Sequence, residues 1–350
     1  MKENSDRQQP KKTRAHKVTL RDIAESLGVS TATVSLAINN NSLVAKKTRQ
    51  QVLAKIEELG YVYNRGAASL STGETRTIGL AVHDFTNTYF TRVCASIETV
   101  LSKNDRMSFL CNTNESLERQ KRFISALIEH SADGLILCPA IGTVADDINP
   151  LVRQGQPVVL IARDIEGAEA DFVGNDDVLA LKIATEHLIK LGHRKITMLG
   201  GGKSTSVGKD RRTGYLTAMR EADLEVTPEM TIGCDSNFEG GAEAVKKVLA
   251  ASQPPTAIVC FNDRVALGAI SELYERDLKP GRDIAVMGCD GIGEGGRAYA
   301  RLSTVNVQKT MMGQTAAEIL VSRLENPDQP LKRIILEPKL VIRSSCGAGN

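Results

Sequence analysis

The 350-residue chain contains no run of about 18 consecutive apolar residues, so no segment is predicted to cross a bilayer. Residues 1–17 are polar and charged, which does not fit a secretory signal. The seven cysteines include no CxxC pair and no Cys–His cluster with metal-ligand spacing. The five histidines are dispersed, and no Ser–His–Asp triad is visible. These absences predict a protein of the reducing cytoplasm, with no membrane partner, no metal and no other cofactor.

Charge is unevenly distributed along the chain. Residues 1–76 carry 13 Lys and Arg against 7 Asp and Glu, although the net charge of the whole chain is only +2. A basic N-terminal module on an acidic body is typical of a DNA-binding head joined to a core that does not bind DNA. A solubilising tail would account for the basic residues of 1–17, which are predicted to be disordered, but not for the motif that follows.

That motif is VTLRDIAESLGVSTATVSLAIN, residues 18–39, which predicts two short helices joined by a tight turn. Gly28 supplies the left-handed residue that the turn needs. Thr19 and Asp22 fit a capping box at the first helix, and Ser30 fits the N-cap of the second. The spacing is typical of a helix-turn-helix, whose second helix enters the DNA major groove; an ordinary αα-hairpin is the alternative.

A third amphipathic helix is predicted over 48–59, with its apolar residues on one stripe. Residues 18–60 are therefore predicted to form an all-α DNA-binding domain. Residues 61–77 are predicted to be a hinge helix and a polar linker, broken at Gly73.

From Ile78 onwards, short apolar strands alternate with helices. Most of these strands are β-branched-rich and apolar on both faces, which predicts parallel sheets covered by helices. Ten strands are too many for one sheet with this connectivity, so two lobes are expected. The candidate strands are 77–83, 107–113, 134–140, 157–163, 172–176, 195–201, 230–235, 257–263, 284–290 and 303–307.

The segments VTLRDIA, GVSTATVS, a helix ending in ELGY, NRGAASL and the strand TIGLAV, in this order, resemble the LacI family of transcriptional regulators. The resemblance extends over about residues 17–345. It implies an α/β core of two periplasmic-binding-protein-like lobes with parallel sheets. On this interpretation the N-lobe is 78–174 with 306–335, and the C-lobe is 175–303 with 336–346.

The resemblance also implies a function. A homodimer would bind pseudo-palindromic operator DNA, most simply as a repressor of carbohydrate-utilisation genes. A small-molecule effector, a sugar or a sugar phosphate, would bind between the lobes and change the affinity for DNA. The alternatives are a regulator that responds to a nucleobase or another metabolite, and an α/β sugar-processing enzyme with a DNA-binding head.

The start of the second helix is expected to read bases, and the residues beside it to contact phosphates. Leu36 stands where the family commonly has Arg; it would contact a thymine methyl, or pack on the third helix and read nothing. The predicted DNA-binding residues are Thr19, Ser30, Thr31, Ala32, Thr33, Ser35, Leu36, Asn39, Lys46, Lys47, Asn64, Ala67 and Leu70.

Two parts of that set depart from the family pattern. Lys46 and Lys47 stand where a Ser cap and acidic residues are usual, and a lost cap costs about 1 kcal/mol. Phosphate contacts would offset this cost; a solvated lysine pair is the alternative. In the stretch 64–70, which resembles the family's minor-groove hinge helix, Leu70 matches the wedging residue, but Gly66 weakens the helix.

The resemblance places an effector site where strands of the two lobes end. Amide, carboxylate and guanidinium groups beside aromatic rings suit a polyhydroxylated ligand. Ala162 departs from the family, which often has Asp there. The alternative for each residue is a strand-end polar group that satisfies a loop. The predicted effector-binding residues are Asn87, Tyr89, Phe90, Arg163, Arg211, Ser236, Asn262 and Asp290.

Overall fold

The computed structural model describes residues 18–38, 40–62, 73–202, 204–293 and 301–348. The chain divides into two compact units, residues 1–73 and 74–350. The predicted disordered tail and the predicted DNA contacts Asn39, Asn64, Ala67 and Leu70 lie outside the described residues.

The first unit is a head of three helices, α1 (Leu20–Leu27), α2 (Thr31–Ile38) and α3 (Lys46–Leu59). Its small core is formed by apolar side chains spaced three and four residues apart, so that each helix turns one stripe inward. The two helices predicted within 18–39 are confirmed, and the third begins two residues earlier than predicted.

The second unit alternates strands and helices. Its helices are α4 (Thr88–Lys103), α5 (Leu117–Glu129), α6 (Asn149–Arg153), α7 (Asp177–Lys190), α8 (Ser206–Glu221), α9 (Phe238–Leu249), α10 (Asp263–Glu275) and α11 (Lys309–Glu325). Its strands are β1 (Thr77–Val82), β2 (Met107–Asn112), β3 (Gly134–Leu137), β4 (Val158–Ile161), β5 (Asp171–Asn175), β6 (Ile196–Leu199), β7 (Thr231–Ile232), β8 (Ala257–Cys260), β9 (Ala285–Met287), β10 (Thr304–Asn306), β11 (Arg333–Leu336) and β12 (Lys339–Val341).

The strands form two parallel sheets, as predicted. One sheet has six strands in the order β11-β5-β4-β3-β1-β2, and the other has four in the order β7-β6-β8-β9. We call the regions around them the N-lobe and the C-lobe. The chain passes between the lobes after β5, between β9 and α11, and after β11, and the antiparallel pair β10-β12 lies on these crossings.

Three strand predictions need correction. β11 and β12 were not predicted, because their apolar runs are only three residues long and Pro338 lies between them. β2 departs from the buried pattern of most predicted strands, because it is an edge strand, and Met107, Phe109 and Leu110 are each about half exposed. The central strands β3, β4, β6 and β8 are fully buried, as the pattern indicated.

Within the part of the chain that the structure describes, no helix has both the length and the apolar character to span a bilayer.

Candidate functional site

The turn between α1 and α2 is built by local hydrogen bonds. The backbone N–H of Thr19 donates to Asp22 Oδ2 at 2.7 Å, and the N–H of Asp22 donates back to Thr19 Oγ1, so the predicted capping box is present. Gly28 is left-handed, with φ 63°. Ser30 Oγ accepts from the N–H of Thr33 at 3.1 Å, which caps α2. These bonds set the two helices in the arrangement that a helix-turn-helix requires.

The predicted DNA-binding residues differ in exposure. The half-buried ones are Thr33, Ser35 and Leu36, and Leu36 packs against the core of the head. This packing favours the alternative in which Leu36 packs on the third helix, at least with the buried part of its side chain. The exposed ones are Thr19, Ser30, Thr31, Ala32, Lys46 and Lys47.

Helix α3 begins without a side-chain cap. Ala45 occupies the N-cap position and makes no side-chain hydrogen bond, and Lys46 and Lys47 are the first two helical residues. Two cations at the positive end of a helix are unfavourable for the fold. A role of these two lysines in binding DNA would explain why the chain tolerates this cost.

The second unit contains a cavity of about 650 Å³ between the carboxyl ends of the strands of the two lobes. Ligands of open α/β sheets bind at such strand ends. All eight residues predicted to contact an effector line this cavity: Asn87, Tyr89, Phe90, Arg163, Arg211, Ser236, Asn262 and Asp290.

Arg211 is the centre of a buried ion-pair cluster on the C-lobe side. Its Nε donates to Asp177 Oδ1 at 2.7 Å, and its Nη1 lies 3.0 Å from Asp290 Oδ1 and 2.6 Å from the Phe261 carbonyl oxygen. The helix α8 comes close enough for this contact because Gly214 faces the backbone of α7, where a Cβ would clash with the Val178 carbonyl.

Burial controls the ionisation of this cluster. Desolvation raises the pKa of Asp177 and of Asp290, although Arg211 opposes both shifts. The cluster continues to Asp263, whose Oδ1 accepts from Thr304 Oγ1 at 2.5 Å and whose Oδ2 accepts from the N–H of Ile292 at 2.7 Å. Desolvation, with a contribution from Asp290, raises the pKa of Asp263 to about 7.

Arg163 is held by a second cluster on the N-lobe side. Its Nη1 and Nη2 donate to the two carboxylate oxygens of Glu115 at 2.9 and 2.7 Å, and Nη1 also donates to the Pro139 carbonyl. His83 lies against the same pair, and its Nδ1 is 3.6 Å from Cys138 Sγ. Desolvation, aided by Arg163, lowers the pKa of His83 to about 4, so the imidazole is neutral at neutral pH.

The thiol of Cys138 beside His83 is not an activated nucleophile. It is fully buried, and desolvation raises its pKa to about 12. A thiolate is the reactive form of cysteine, so this Cys–His–Glu arrangement does not support covalent chemistry.

Aromatic rings form part of the cavity wall. Phe90 packs edge-to-face against His83 and Tyr89, at centroid distances of 4.3 and 4.8 Å. The Tyr89 hydroxyl lies 3.4 Å from Met312 Sδ. Phe261 stacks under the Arg211 guanidinium at 5.0 Å. The last of these rings was not singled out from the sequence.

Two of the predicted amides also perform a structural role. Asn87 Oδ1 accepts from the N–H of Tyr89 and caps α4, and Asn262 Oδ1 accepts from the N–H of Val265 and caps α10. The Nδ2 group of Asn262 donates to the Ser236 carbonyl at 3.2 Å. These contacts agree with the alternative of strand-end groups that satisfy a loop, and they also fix the amides at the cavity.

Ala162 lines the cavity in a left-handed conformation, with φ 62°. This conformation disfavours a residue with a Cβ, and Asn and Asp tolerate it better than Ala does.

The sequence analysis missed several titratable residues of the cavity. Each of them stands within three residues of the end of a strand or of the start of a helix, which is the position that would have identified them. They are His83, Asp84, Glu115, Asp177, Asp235 and Arg264.

Comparisons with known proteins identify the family. Residues 75–339 match the family of periplasmic binding proteins and the sugar binding domain of the LacI family, and residues 19–64 match the bacterial regulatory proteins of the lacI family. The ribose operon repressor of Haemophilus influenzae is 32% identical over 327 residues, which cover 93% of this chain and 98% of that protein.

Two further proteins support the same assignment. The transcriptional repressor PurR of Aliivibrio fischeri is 33% identical over 332 residues, covering 93% of this chain and 98% of its own. The crystal structure of a LacI family transcriptional regulator from Enterococcus faecium with bound ribose superposes with a TM-score of 0.70 at 26% identity, and covers 78% of this chain and 100% of that one. The chain therefore belongs to the LacI family of bacterial regulatory proteins, as a DNA-binding transcriptional regulator and not an enzyme.

Proposed function

We propose that this protein represses carbohydrate-utilisation genes in the bacterial cytoplasm, and that an uncharged, polyhydroxylated effector binds in the cavity between its lobes. The observation that carries the proposal is the charge balance of the cavity wall. Among the described residues, the wall has three guanidinium groups and five carboxyl groups. Lys203 lies outside the described residues.

Each of the three guanidinium groups already has a carboxylate partner. Arg163 pairs with Glu115, and Arg211 pairs with Asp177 and Asp290. The third pair, Arg264 with Asp84, has a distance of 2.6 Å. A phosphate ester carries about 1.5 to 2 negative charges at neutral pH, and it would have to displace a carboxylate from one of these pairs. The balance therefore favours a sugar over a sugar phosphate.

The kind of sugar is supported by similarity alone. Two relatives are a ribose operon repressor and a regulator with bound ribose, so D-ribose is the first candidate. Within the family the sequence also resembles the maltose-regulon repressor, which makes a disaccharide the second. A cavity of about 650 Å³ is within the size range of small-ligand sites.

Operator binding in the presence of added ligands tests the effector class. A mobility-shift assay on a DNA fragment selected for tight binding is titrated with D-ribose, maltose, their phosphates, and purine bases. We expect one neutral sugar to change the DNA affinity, with release indicating an inducer and tightening a corepressor. A response to the phosphates or the purines alone would contradict the proposal.

We infer that the head reads operator DNA through the start of α2, where Thr31 and Ala32 are exposed, and that Lys46 and Lys47 contact phosphates. The hinge residues predicted to enter the minor groove, such as Leu70, remain part of this proposal. The supporting observation is the uncapped, cationic start of α3.

We also propose that the protein is a homodimer. The edge strand β2 supports this, because Met107, Phe109 and Leu110 expose large apolar side chains at a sheet edge beyond which the described residues form no further strand. Monomeric proteins rarely leave such a surface uncovered. A second copy is the expected partner, because two heads are needed to bind the two halves of a pseudo-palindromic operator.

The lysine contacts give a prediction that needs no knowledge of the operator. Replacing Lys46 and Lys47 together by Ala should weaken binding to any duplex. Each phosphate contact that is lost reduces the number of counterions released when the protein binds. For a dimer this removes up to four contacts, so the slope of log K against log salt should become shallower by about 3 to 4. The slope is measured by fluorescence anisotropy on a labelled, non-specific duplex.

The matched control is Lys55→Ala on the same helix, because the Lys55 ammonium is paired with Glu58 at 2.6 Å. This variant should leave the slope nearly unchanged. An unchanged slope in the double variant would show that the two lysines are merely solvated, and a change of half the expected size would show that only two of the four contacts are made.

A further inference from the structure

An ion pair joins the N-lobe to the C-lobe across the cleft that contains the cavity. Asp84 follows β1 in the N-lobe, and its Oδ2 accepts from Nη1 of Arg264, at the start of α10 in the C-lobe, at 2.6 Å. Both residues line the cavity. Their side chains are 29% and 24% exposed, so the pair is only partly screened by solvent.

The Asp84 carboxylate is held in position by its own loop. Its Oδ1 accepts from the N–H and the hydroxyl of Thr86, at 2.8 and 2.6 Å. Although burial opposes the shift, these bonds and Arg264 lower the pKa of Asp84, so the carboxylate is charged at neutral pH. One carboxylate oxygen is thus fixed within the N-lobe, and the other is directed across the cleft.

Arg264 stands in an unfavourable position for the helix that carries it. It is the second residue of α10, where the helix dipole disfavours a cation. The cap of this helix is already supplied by Asn262, so Arg264 is not needed to start it. Its evident favourable partner among the described residues is the carboxylate of the opposite lobe.

A second contact crosses the cleft at other loops. The backbone N–H of Asp164, which follows β4 in the N-lobe, donates to Ser206 Oγ at the start of α8 in the C-lobe, at 3.0 Å. This bond is between neutral groups, whereas the Asp84–Arg264 contact is charged. The ion pair is therefore the stronger of these two bridges.

We propose that the Asp84–Arg264 pair is a latch between the lobes, which sets how readily the cleft opens and how fast a ligand enters and leaves it. The effect on opening is a property of the two lobes themselves and needs no ligand. The effect on ligand exchange rests on the proposed effector role of the cavity.

Hydrogen exchange of the ligand-free, full-length protein tests the latch. In Arg264→Glu, two carboxylates face each other across the cleft, so peptides covering 83–90 and 204–211 should exchange about tenfold faster. In the double variant Asp84→Lys with Arg264→Glu, the charges are exchanged and the rates should return towards those of the wild type. Arg264→Gln, which removes the pair without repulsion, should lie between.

The control is a pair that does not cross the cleft. Arg153 and Glu169 are both in the N-lobe, 2.7 Å apart, and Arg153→Glu should not change exchange at the two cavity segments. Wild-type exchange rates in Arg264→Glu, or rates in the double variant as fast as in the single one, would overturn the latch. Since no ligand is used, that failure would leave the effector proposal standing, and a failed sugar titration would leave the latch standing.

Discussion

Replacing Arg211 by Met is expected to destabilise the 74–350 unit by about 3–5 kcal/mol, because it leaves Asp177 and Asp290 buried without their shared cation. Arg211 is 4% exposed, so water cannot take the place of the guanidinium. Methionine keeps most of the side-chain volume, which limits the loss to the electrostatic part. Urea unfolding followed by far-UV circular dichroism measures the difference.

Adding Asp177→Asn to the Arg211→Met variant tests whether buried, unpaired charge causes the loss of stability. With one carboxylate neutralised, the Arg211→Met background should regain part of the lost stability, although Asp177→Asn alone should destabilise the wild type. Arg220→Met, on the exposed face of the same helix, should have only a small effect. Equal losses at positions 211 and 220 would mean that the buried cluster does not stabilise the fold.

The carboxyl group of Asp263 is expected to make the free energy of unfolding depend on pH. Its pKa is about 7 in the folded protein, against 3.8 for an unperturbed aspartic acid, so the folded state binds this proton more tightly than the unfolded state. The contribution of Asp263 to stability is therefore complete below pH 4 and is lost as the pH rises through 7. Between pH 5 and pH 8 the loss is about 3 kcal/mol.

Asp263→Asn should remove this dependence. The amide can still accept from the N–H of Ile292 and can donate to the hydroxyl of Thr304, so the hydrogen bonds are retained. Relative to the wild type, the variant should gain stability from pH 5 to pH 8. Asp277→Asn, at an exposed position after the same helix, should follow the wild-type pH profile. A parallel profile in Asp263→Asn would show that Asp263 stays charged throughout.

The opposite sign is expected from His83. Its pKa of about 4 lies below the 6.5 of an unperturbed histidine, so the unfolded state binds this proton more tightly. The contribution of His83 to stability is lost as the pH falls from 6.5 to about 4. Below pH 6.5 it therefore partly cancels the contribution of Asp263. For this reason Asp263→Asn is compared with the wild type at each pH. The slope of the unfolding free energy of the wild type against pH would not by itself reveal the contribution of Asp263.

The elements that were predictable from the sequence are those with strong local signals. Gly28, Thr19 and Ser30 act within a few residues of their own positions, so the turn of the head follows from spacing alone. The buried central strands follow from continuous apolar runs. β11 has a weaker signal, because its apolar run is only three residues long and Pro338 follows it closely, and its pairing with β5 joins residues far apart in the sequence.

The same distinction applies to the cavity. Strand-end residues such as Arg211 and Asp290 could be placed at one edge of a sheet, because the carboxyl ends of parallel strands meet there. Their partners could not be predicted. Whether Arg163 faces a ligand or Glu115 depends on the loop that carries Glu115, which is 48 positions away in the sequence. The charge balance of the cavity therefore follows only from the structure.

The left-handed backbone at Ala162 makes this position of the cavity wall favourable for substitution during evolution. A non-glycine residue in this conformation costs roughly 1–2 kcal/mol, and Asn or Asp relieves part of that strain by local hydrogen bonding. A single exchange to Asp would thus add a carboxylate to the wall and stabilise the loop at the same time. New ligand preferences can therefore arise at this position without the loss of stability that usually accompanies an adaptive mutation.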